Sequence, residues 1–332
     1  MHDLALPLLV ALVAMALAFD FLNGLHDAAN SIATVVSTQL LSPVMAVAFA
    51  AVGNFLAYWI VGLHVAETVG SGIIDKDVVT PSVVFGALGG AMVWNVLTWI
   101  KGLPSSSSHA LIGGLLGAGI AHSGFGAVES AGTSKTLIAI VLSPMIGFAI
   151  AMLLMLLTSV LFQRTSPSRA NRAFKGLHLV SAAAQSISHG GNDAQKTMGV
   201  IAVLLYSTGH LEGKFHVPEW VVLSCYAAMS LGTLSGGWRI IRTMGTRLTR
   251  LNHHSGFCAS TASSIVLFGA SAFGIPVSTT HAITGSVVGT GAARRSSAVR
   301  WSVASRVVVA WFVTIPASGA VAALFYGLTT LF

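Results

Sequence analysis

The chain has 332 residues, of which 54% are hydrophobic and only 8% are charged, whereas a soluble domain carries about 25% charged residues. Its mean hydropathy of +0.81 indicates many apolar stretches, and each needs about 20 residues to cross a bilayer. The net charge of +7 does not indicate nucleic-acid binding, because twelve of the seventeen Lys and Arg residues lie in three short segments between apolar stretches. An integral membrane protein is therefore predicted, with the lipid bilayer as its surroundings and no nucleic-acid partner.

Ten apolar segments follow one another along the chain. They are continuously apolar rather than alternating, which predicts an all-α bundle and not a barrel. The predicted segments are 4–38, 44–66, 80–100, 104–122, 136–162, 177–205, 218–237, 255–273, 276–293 and 305–329. Segments 104–122 and 276–293 are short and open with proline, so re-entrant hairpins and full spans both stay open for them. The polar, basic stretch 163–176 is predicted to link the two halves, 1–162 and 177–332.

The basic segments indicate the orientation of the chain. Four Lys or Arg residues lie in each of 164–175, 239–250 and 294–306, and the positive-inside rule places such loops in the cytoplasm. Both termini are then predicted to lie outside the cell membrane. Each half has five segments, an odd number, so the halves enter the membrane from opposite sides. Inverted repeats with broken helices are typical of alternating-access transporters.

One polar motif occurs in both halves. Asn23, His26, Asp27 and Asn30 in the first half correspond to His189, Asn192, Asp193 and Lys196 in the second, with the same spacing. On a helix these four positions fall within about 100° of arc, so each copy predicts one polar stripe. Because a charged side chain in mid-bilayer is costly, the repeated aspartate predicts a function in ion coupling. Glycines beside both motifs predict either local unwinding or close approach of another backbone.

A second duplicated motif follows a proline in each half. Residues 102–110 read GLPSSSSHA and residues 274–282 read GIPVSTTHA. Proline ends the preceding helix and a hydroxyl residue caps a new one, whose free N–H groups form an anion site. The predicted anion-binding residues are Ser105, Ser106, Ser107, Ser108, Ser278, Thr279 and Thr280. His109 and His281 are interpreted either as part of this site or as residues that orient the two loops.

These motifs resemble those of the inorganic phosphate transporter (PiT) family, whose duplicated signature is G-x-N-D-x-x-N. The resemblance covers essentially the whole chain. It implies two inverted repeats, an anion site between two hairpin tips, and cations near the two aspartates. His26 stands where the signature has Asn, and Gln195-Lys196 ends the second copy differently. In both respects the chain is similar to the compact bacterial branch of low-affinity permeases, which implies proton-coupled uptake of metal-phosphate.

The predicted coupling residues are those of the first motif: Asn23, His26, Asp27, Asn30, Asn192, Asp193 and Lys196. Two aspartates, one lysine and a phosphate dianion sum to about −3, which a dry site cannot hold without accompanying cations. Lys196 carries a fixed charge where a neutral amide could bind sodium, and histidine exchanges protons near neutral pH. Protons are therefore predicted as the driving ions, with no cofactor and no fixed metal; a divalent metal that travels with phosphate stays an open alternative.

Other functions were weighed against phosphate uptake. Sulfate is the close rival, but it carries no proton to donate to a carboxylate at neutral pH. An intramembrane hydrolase would pair Ser107 or Thr279 with His109 or His281, but the motif occurs twice, whereas catalysis needs one asymmetric site. A channel would equilibrate the anion and would not accumulate it. The oligomeric state is not determined by the sequence, and a homodimer is one alternative.

Overall fold

The computed structural model describes residues 6–211 and 213–331. Within these ranges the chain is helical, and one isolated bridge joins Ile74 to Val128. The α-helices are, in chain order, α1 (Leu6–Ser37), α2 (Pro43–Ile60), α3 (His64–Gly72), α4 (Pro81–Lys101), α5 (Ser107–Ser123), α6 (Ser130–Leu161), α7 (Pro167–Ser207), α8 (Glu219–Ser235), α9 (Trp238–Arg242), α10 (His253–Ala272), α11 (Thr279–Arg294) and α12 (Trp301–Thr329). Short 3₁₀ turns precede α4, α6 and α12, and a π-helical turn at Thr243–Arg247 follows α9.

Six helices in the described ranges are long and apolar enough to cross a membrane: α1, α2, α4, α6, α10 and α12. The exposed side of α6 is apolar along most of its length; Met145 is 61% exposed and Val160 is 63% exposed. Water does not favour an apolar surface of this size, whereas lipid does. The chain is therefore a multi-pass membrane protein.

Local sequence explains where several helices begin. Thr80 and Ser42 accept hydrogen bonds from the backbone N–H groups of Val83 and Met45, and a proline occupies the first position of both helices. Proline fits there because its missing N–H would have no partner in the helix. At the start of α10, Asn252 and Ser255 cap each other reciprocally. These caps set the entry points of α2, α4 and α10.

The chain is divided into two halves with the same element order, α1–α6 and α7–α12. Each half has a long first helix, and each has a hairpin whose two helices are joined by a proline loop. The first hairpin consists of α4 and α5 (Pro81–Ser123), and the second consists of α10 and α11 (His253–Arg294). Each hairpin packs against the last helix of the opposite half, because α5 lies on α12 and α11 lies on α6. The two halves are therefore interlocked.

A pair of glycines on α5 and another pair on α11 allow these helices to pack closely against the opposite half. Gly113 and Gly117 on α5 face the backbone of α12, and a side chain at either position would overlap Ile315 or Gly319. On α11, the equivalent Gly285 and Gly289 face the backbone of α6 at Pro144 and Phe148. Small residues four apart let membrane helices approach closely. The same packing device thus occurs once in each half.

Each of the ten predicted segments corresponds to a helix, but the structure corrects three details. α3 and α9 were not predicted, because each is short and lies beside glycines or charged residues. The predicted linker 163–176 is mostly helical, since α7 begins at Pro167. Both termini were predicted to lie outside the cell membrane. The residues before Leu6 and the last residue are not among the described residues.

Two alternatives were predicted for the glycines beside the aspartate motifs, local unwinding and close approach of another backbone, and the structure shows close approach. α1 and α7 continue without a break through Asp27 and Asp193. The neighbouring glycines provide the other alternative, close approach, because Gly24 lies against the backbone of Met229. The chain breaks instead at the two proline loops, between α4 and α5 and between α10 and α11.

Candidate functional site

The two aspartate motifs meet in the interior of the protein. Asp27 on α1 and Asp193 on α7 are both buried, and α1 and α7 pack against each other. Asp27, His189 and Asp193 each offer one ligand atom, and these atoms lie within 4.8 Å of one another. Close approach of neighbouring helices surrounds the motifs, since Gly24 and Gly190 contact the backbones of α8 and α2. The duplicated stripes therefore form one site.

On the α1 side, His26 is the neighbour of Asp27. Its Nδ1 atom lies 2.7 Å from Asp27 Oδ1, and its Nε2 atom lies 3.0 Å from the hydroxyl of Thr98 on α4. Ser105, in the loop of the first hairpin, donates a hydrogen bond of 2.9 Å to the same hydroxyl. A continuous chain of polar groups thus connects Asp27 to the first hairpin.

On the α7 side, Lys196 pairs with Asp193. Its ammonium group contacts Asp193 Oδ1 and also donates to Ser108 Oγ at 2.5 Å and to the carbonyl of Val277 at 2.8 Å. Thr279 donates to the other oxygen of Asp193 at 2.8 Å. The spacing of three residues places Lys196 and Asp193 on the same face of α7. Lys196 therefore joins α7 to the loops of both hairpins.

The two hairpin tips meet beside this ion pair. The Ser108 hydroxyl lies 3.4 Å from the carbonyl of Val277, and the Thr280 hydroxyl donates to the carbonyl of Ser105 at 3.3 Å. Asn30 on α1 donates to Thr280 at 3.0 Å and to Thr279 at 3.2 Å. The structure thus brings hydroxyls from both tips to one location, next to Lys196.

Each tip is the capped start of a helix. Ser106 accepts a hydrogen bond of 3.2 Å from the backbone N–H of His109, and Ser278 accepts the equivalent bond from His281. Free N–H groups at a helix start carry partial positive charge and favour anions. Two such helix starts, one lysine and several hydroxyls can together hold a small anion with charge-assisted hydrogen bonds.

The predicted residues differ in their partners. Asn192 donates to Ser271 at 3.0 Å and contacts no hairpin tip through a hydrogen bond in the described residues. Several buried polar atoms in the described site have no hydrogen-bond partner: Asn23 Oδ1, Asn30 Oδ1, Ser107 Oγ and Asn192 Oδ1. Buried polar atoms are otherwise nearly always paired. These four atoms are therefore available to a ligand, an ion or water.

His109 and His281 pack against each other and do not pair with a hydroxyl. Their ring centroids are 4.2 Å apart, and His281 stacks on Trp311 at 3.7 Å. Trp311 in turn donates to the carbonyl of Pro104 in the first loop at 3.3 Å. The orienting role is the interpretation that these contacts favour. Because Thr279 donates to Asp193, the geometry does not support the hydroxyl–histidine pair of a hydrolase.

The sequence placed His189 on the second polar stripe but not among the predicted coupling residues, and the structure shows that it faces the site from α7. Its Nε2 atom lies 3.3 Å from Asp193 Oδ2, and its Nδ1 atom lies 3.1 Å from Asn54 Oδ1. Asn54 is oriented by Thr233, whose hydroxyl accepts from its amide nitrogen at 2.8 Å. The amide oxygen of Asn54 therefore faces His189 Nδ1, which must donate, and a neutral His189 then presents its Nε2 lone pair to the carboxylates.

The position of His189 in the second copy of the motif, opposite Asn23 in the first, was the available signal for it. Thr98 was missed, and no sequence signal distinguishes it from an ordinary threonine in a helix. Both residues contact the site through side-chain atoms that only the folded arrangement places there.

Comparison with known proteins identifies relatives along almost the whole chain. The sequence pattern of the phosphate transporter family matches residues 23–170 and 162–322. The chain is 60% identical to a probable low-affinity inorganic phosphate transporter of Rhizobium meliloti over 323 residues, which cover 97% of each chain. It is 41% identical to a protein of the same description in Bacillus subtilis, with 98% of each chain covered.

A solved structure described as the sodium-dependent phosphate transporter has the same fold. It superposes with a TM-score of 0.91, covering 98% of this chain and 100% of that one, at 24% sequence identity.

Proposed function

Because the chain belongs to the phosphate transporter family, we propose that it takes up inorganic phosphate by secondary active transport driven by protons. The observation that carries the proposal is the meeting of both hairpin tips at Lys196, beside the two buried aspartates. This arrangement offers an anion site and a cation site in direct contact. Contact of this kind is what the coupling of an anion to a driving ion requires.

Phosphate is proposed to bind at the hairpin tips. Lys196 supplies the positive charge, and the unpartnered Ser107 supplies a hydroxyl donor. The hydroxyls of Ser108, Thr279 and Thr280 would turn from their present acceptors to donate to the anion. Lys196 was first interpreted as a residue that repels sodium, but its contacts with Ser108 and Val277 favour a direct role in anion binding. The Asp193 carboxylate repels the anion and is paired with the same Lys196 ammonium group. Protonation of Asp193 would free Lys196 for phosphate, which links proton binding to anion binding.

His26 supports protons as the driving ions. The Thr98 hydroxyl has one proton. Its oxygen lies 3.0 Å from His26 Nε2 and 2.9 Å from the carbonyl of Trp94. If His26 is neutral, Thr98 can donate to its Nε2 atom. If His26 is protonated, the ring donates and the Thr98 proton turns to the carbonyl. Both protonation states of His26 therefore find partners in the same geometry.

The group of Asp27, His189 and Asp193 bears on the choice of cation. Imidazole nitrogen suits protons and transition-metal ions, whereas sodium is a hard cation for which oxygen ligands are expected. The presence of His189 therefore favours a proton or a transition-metal ion that arrives with phosphate. Sodium symport is the alternative within the family, because the solved structure with the same fold is described as a sodium-dependent phosphate transporter.

Sulfate is the second candidate substrate. Hydrogen phosphate carries a proton that a carboxylate can accept, while sulfate has none at neutral pH. Asp27 and Asp193 near the hairpin tips therefore favour phosphate. Sulfate could donate no proton to either carboxylate, so the sulfate and the carboxylate would repel each other.

The two halves are proposed to be inverted repeats that expose the site alternately to the two sides of the membrane. The equal element order of α1–α6 and α7–α12 supports this, as does the exchange of α5 and α11 between the halves. The arginines in 164–175, 239–250 and 294–306 support a cytoplasmic position for these segments and outside positions for both termini.

The experiment that tests the proposed function is uptake of labelled phosphate into proteoliposomes in sodium-free choline buffer, with an inward proton gradient. Accumulation that a protonophore abolishes is the expected result. Accumulation that needs sodium and ignores the protonophore would contradict proton coupling, and equilibration without accumulation would indicate a channel. Counterflow of labelled phosphate competed by sulfate separates the two substrates.

A further inference from the structure

A second basic site lies away from the hairpin tips, at the end of α11. A cavity of about 550 Å³ is bounded by the segments before α10 and between α11 and α12. Four arginines line it, together with two hydroxyl residues: Arg250, Arg294, Arg295, Arg300, Thr249 and Ser297. We name it the arginine pocket, and we propose that it binds a phosphate-bearing anion, for which the headgroup of an anionic phospholipid is the source that the structure favours.

Within the described residues, every ion pair involves Asp27 or Asp193, and none includes an arginine of this pocket. The sequence contains no Asp or Glu after Glu219, and all eight basic residues in that stretch are arginines. These arginines are therefore available to an anion from outside the protein. Arginine presents a planar fork of donors that matches phosphate oxygens, which a lysine cannot do.

Simple cytoplasmic orientation does not account for the pocket. The positive-inside rule explains why basic residues occur in these loops, but it does not require them to line one cavity. Arg294 also complements the negative end of the α11 dipole, yet that explanation does not extend to Arg250, Arg295 and Arg300. Their convergence on one cavity is the observation that points to a ligand.

The walls of the pocket are held together by hydrogen bonds to backbone carbonyls. The N–H of Arg300 donates to the carbonyl of Leu248 at 2.9 Å, and the Thr249 hydroxyl donates to the carbonyl of Ala298 at 3.0 Å. Arg294 donates to the carbonyl of Arg250 at 3.3 Å. The two loops are thus fixed to each other, so the arginines need no large rearrangement to meet a ligand.

Trp301 favours a lipid as the source of the anion. It follows Arg300 directly, is 51% exposed, and donates from its indole nitrogen to the carbonyl of Ser296 at 3.1 Å. Exposed tryptophan at the end of a membrane-spanning helix is typical of the headgroup layer. Basic pockets at this depth on the cytoplasmic side bind anionic lipid headgroups.

A ligand in the arginine pocket can affect the second hairpin tip through α11. This helix begins at Thr279, which contacts Asp193, and ends at Arg294 in the pocket. Its sixteen residues span about 24 Å as a rigid rod. A bound headgroup would therefore hold one end of the helix whose other end carries the second tip.

The test is native mass spectrometry of the purified full chain, titrated with phosphatidylglycerol, with phosphatidylcholine of the same acyl chains, and with pyrophosphate. The test variant replaces Arg250, Arg295 and Arg300 with Gln. The control is Arg306→Gln, which removes an exposed arginine nearby that does not line the pocket. Circular dichroism and insertion into membranes report whether each variant is folded.

We expect phosphatidylglycerol to bind more tightly than phosphatidylcholine, and the triple variant to lose about ten-fold in that affinity. Arg306→Gln should leave the affinity unchanged. Pyrophosphate binding that the triple variant abolishes, with no preference between the lipids, would support the pocket but assign it to a soluble anion. Equal binding of all three probes by the wild type and the folded triple variant would overturn the proposal.

Discussion

Lys196 and Asp193 form an ion pair within one turn of α7, and Lys196 also donates to the Val277 carbonyl at the tip of the second hairpin. One ammonium group thus contacts both the buried carboxylate and the loop proposed to bind phosphate. A phosphate at the tips must share this charge with Asp193 or replace Asp193 as its partner.

Neutralising either aspartate should abolish transport. Asp27→Asn and Asp193→Asn keep the side-chain size but remove the charge that the proposed cation needs. Uptake of labelled phosphate, normalised to inserted protein, should fall to background in both. The control is Asp77→Asn, an exposed residue of the turn before α4, which should transport normally. Near-normal uptake by either test variant would show that its carboxylate is dispensable for coupling.

Lys196→Gln should weaken apparent phosphate affinity about 10-fold to 150-fold, because it removes a charge-assisted hydrogen bond worth about 1.5–3 kcal/mol. It also leaves Asp193 buried without its partner, so the double variant Asp193→Asn with Lys196→Gln is needed. If Lys196 only neutralises Asp193, the double variant should recover phosphate binding. Binding, measured by thermal stabilisation, should instead remain weak in the double variant if Lys196 contacts phosphate.

The hydroxyls of the hairpin tips should separate into two groups. Ser106 and Ser278 cap α5 and α11, so alanine there should lower the free energy of unfolding by about 1 kcal/mol and also weaken phosphate binding. Ser107 has no hydrogen-bond partner in the described structure, and Ser107→Ala should weaken affinity without loss of stability. Unchanged affinity in all the alanine variants, including Thr279→Ala, would place the phosphate site elsewhere.

Proton coupling should depend on His26. In sodium-free buffer the wild type should accumulate phosphate only with a proton gradient, and His26→Gln should lose the dependence of uptake on that gradient. Thr98→Val, which removes only the hydroxyl partner of His26, should alter the pH profile of uptake less strongly. Uptake that persists without sodium but requires magnesium or calcium would indicate a metal-phosphate substrate. A wild-type requirement for sodium would rule out protons as the sole driving ions.

The segment at the start of α7 should be cytoplasmic. Ser168 is exposed, and Cys225 and Cys258 are buried, so Ser168→Cys supplies one accessible thiol. An impermeant maleimide should label it in inverted vesicles and not in intact cells. Ser134→Cys, on the exposed start of α6, should show the opposite pattern. Ready labelling of Ser168→Cys in intact cells would reverse the proposed orientation.

Hydropathy was sufficient to predict the six helices that are long enough to cross a bilayer, because such a helix must be apolar over that length. It could not find α3 or α9, since helices of 9 and 5 residues have no such requirement. The continuity of α1 and α7 through their glycines was also not predictable. A glycine allows both unwinding and close approach, and only the position of a neighbour such as Met229 decides between them.

Duplication was the stronger guide to the site. It identified Asp27, Asp193 and both hairpin loops without any knowledge of their distances. It placed His189 on the second stripe but gave it no role, because its counterpart Asn23 has a different side chain. Thr98 lies outside both repeated motifs. The contact between Lys196 and the two loops depends on how three helices pack, and no local pattern in the sequence encodes that packing.

The exchange of α5 and α11 between the halves has a consequence for how the protein is made. α5 packs against α12, which leaves the ribosome long after α5, so the first hairpin lacks this neighbour until α12 has been made. Gly113 and Gly117 then present bare backbone to lipid or to the insertion machinery until α12 arrives. The newly made first half must therefore wait in an unfinished arrangement, and a chain truncated before Trp301 would keep that glycine surface uncovered for quality-control proteases to recognise.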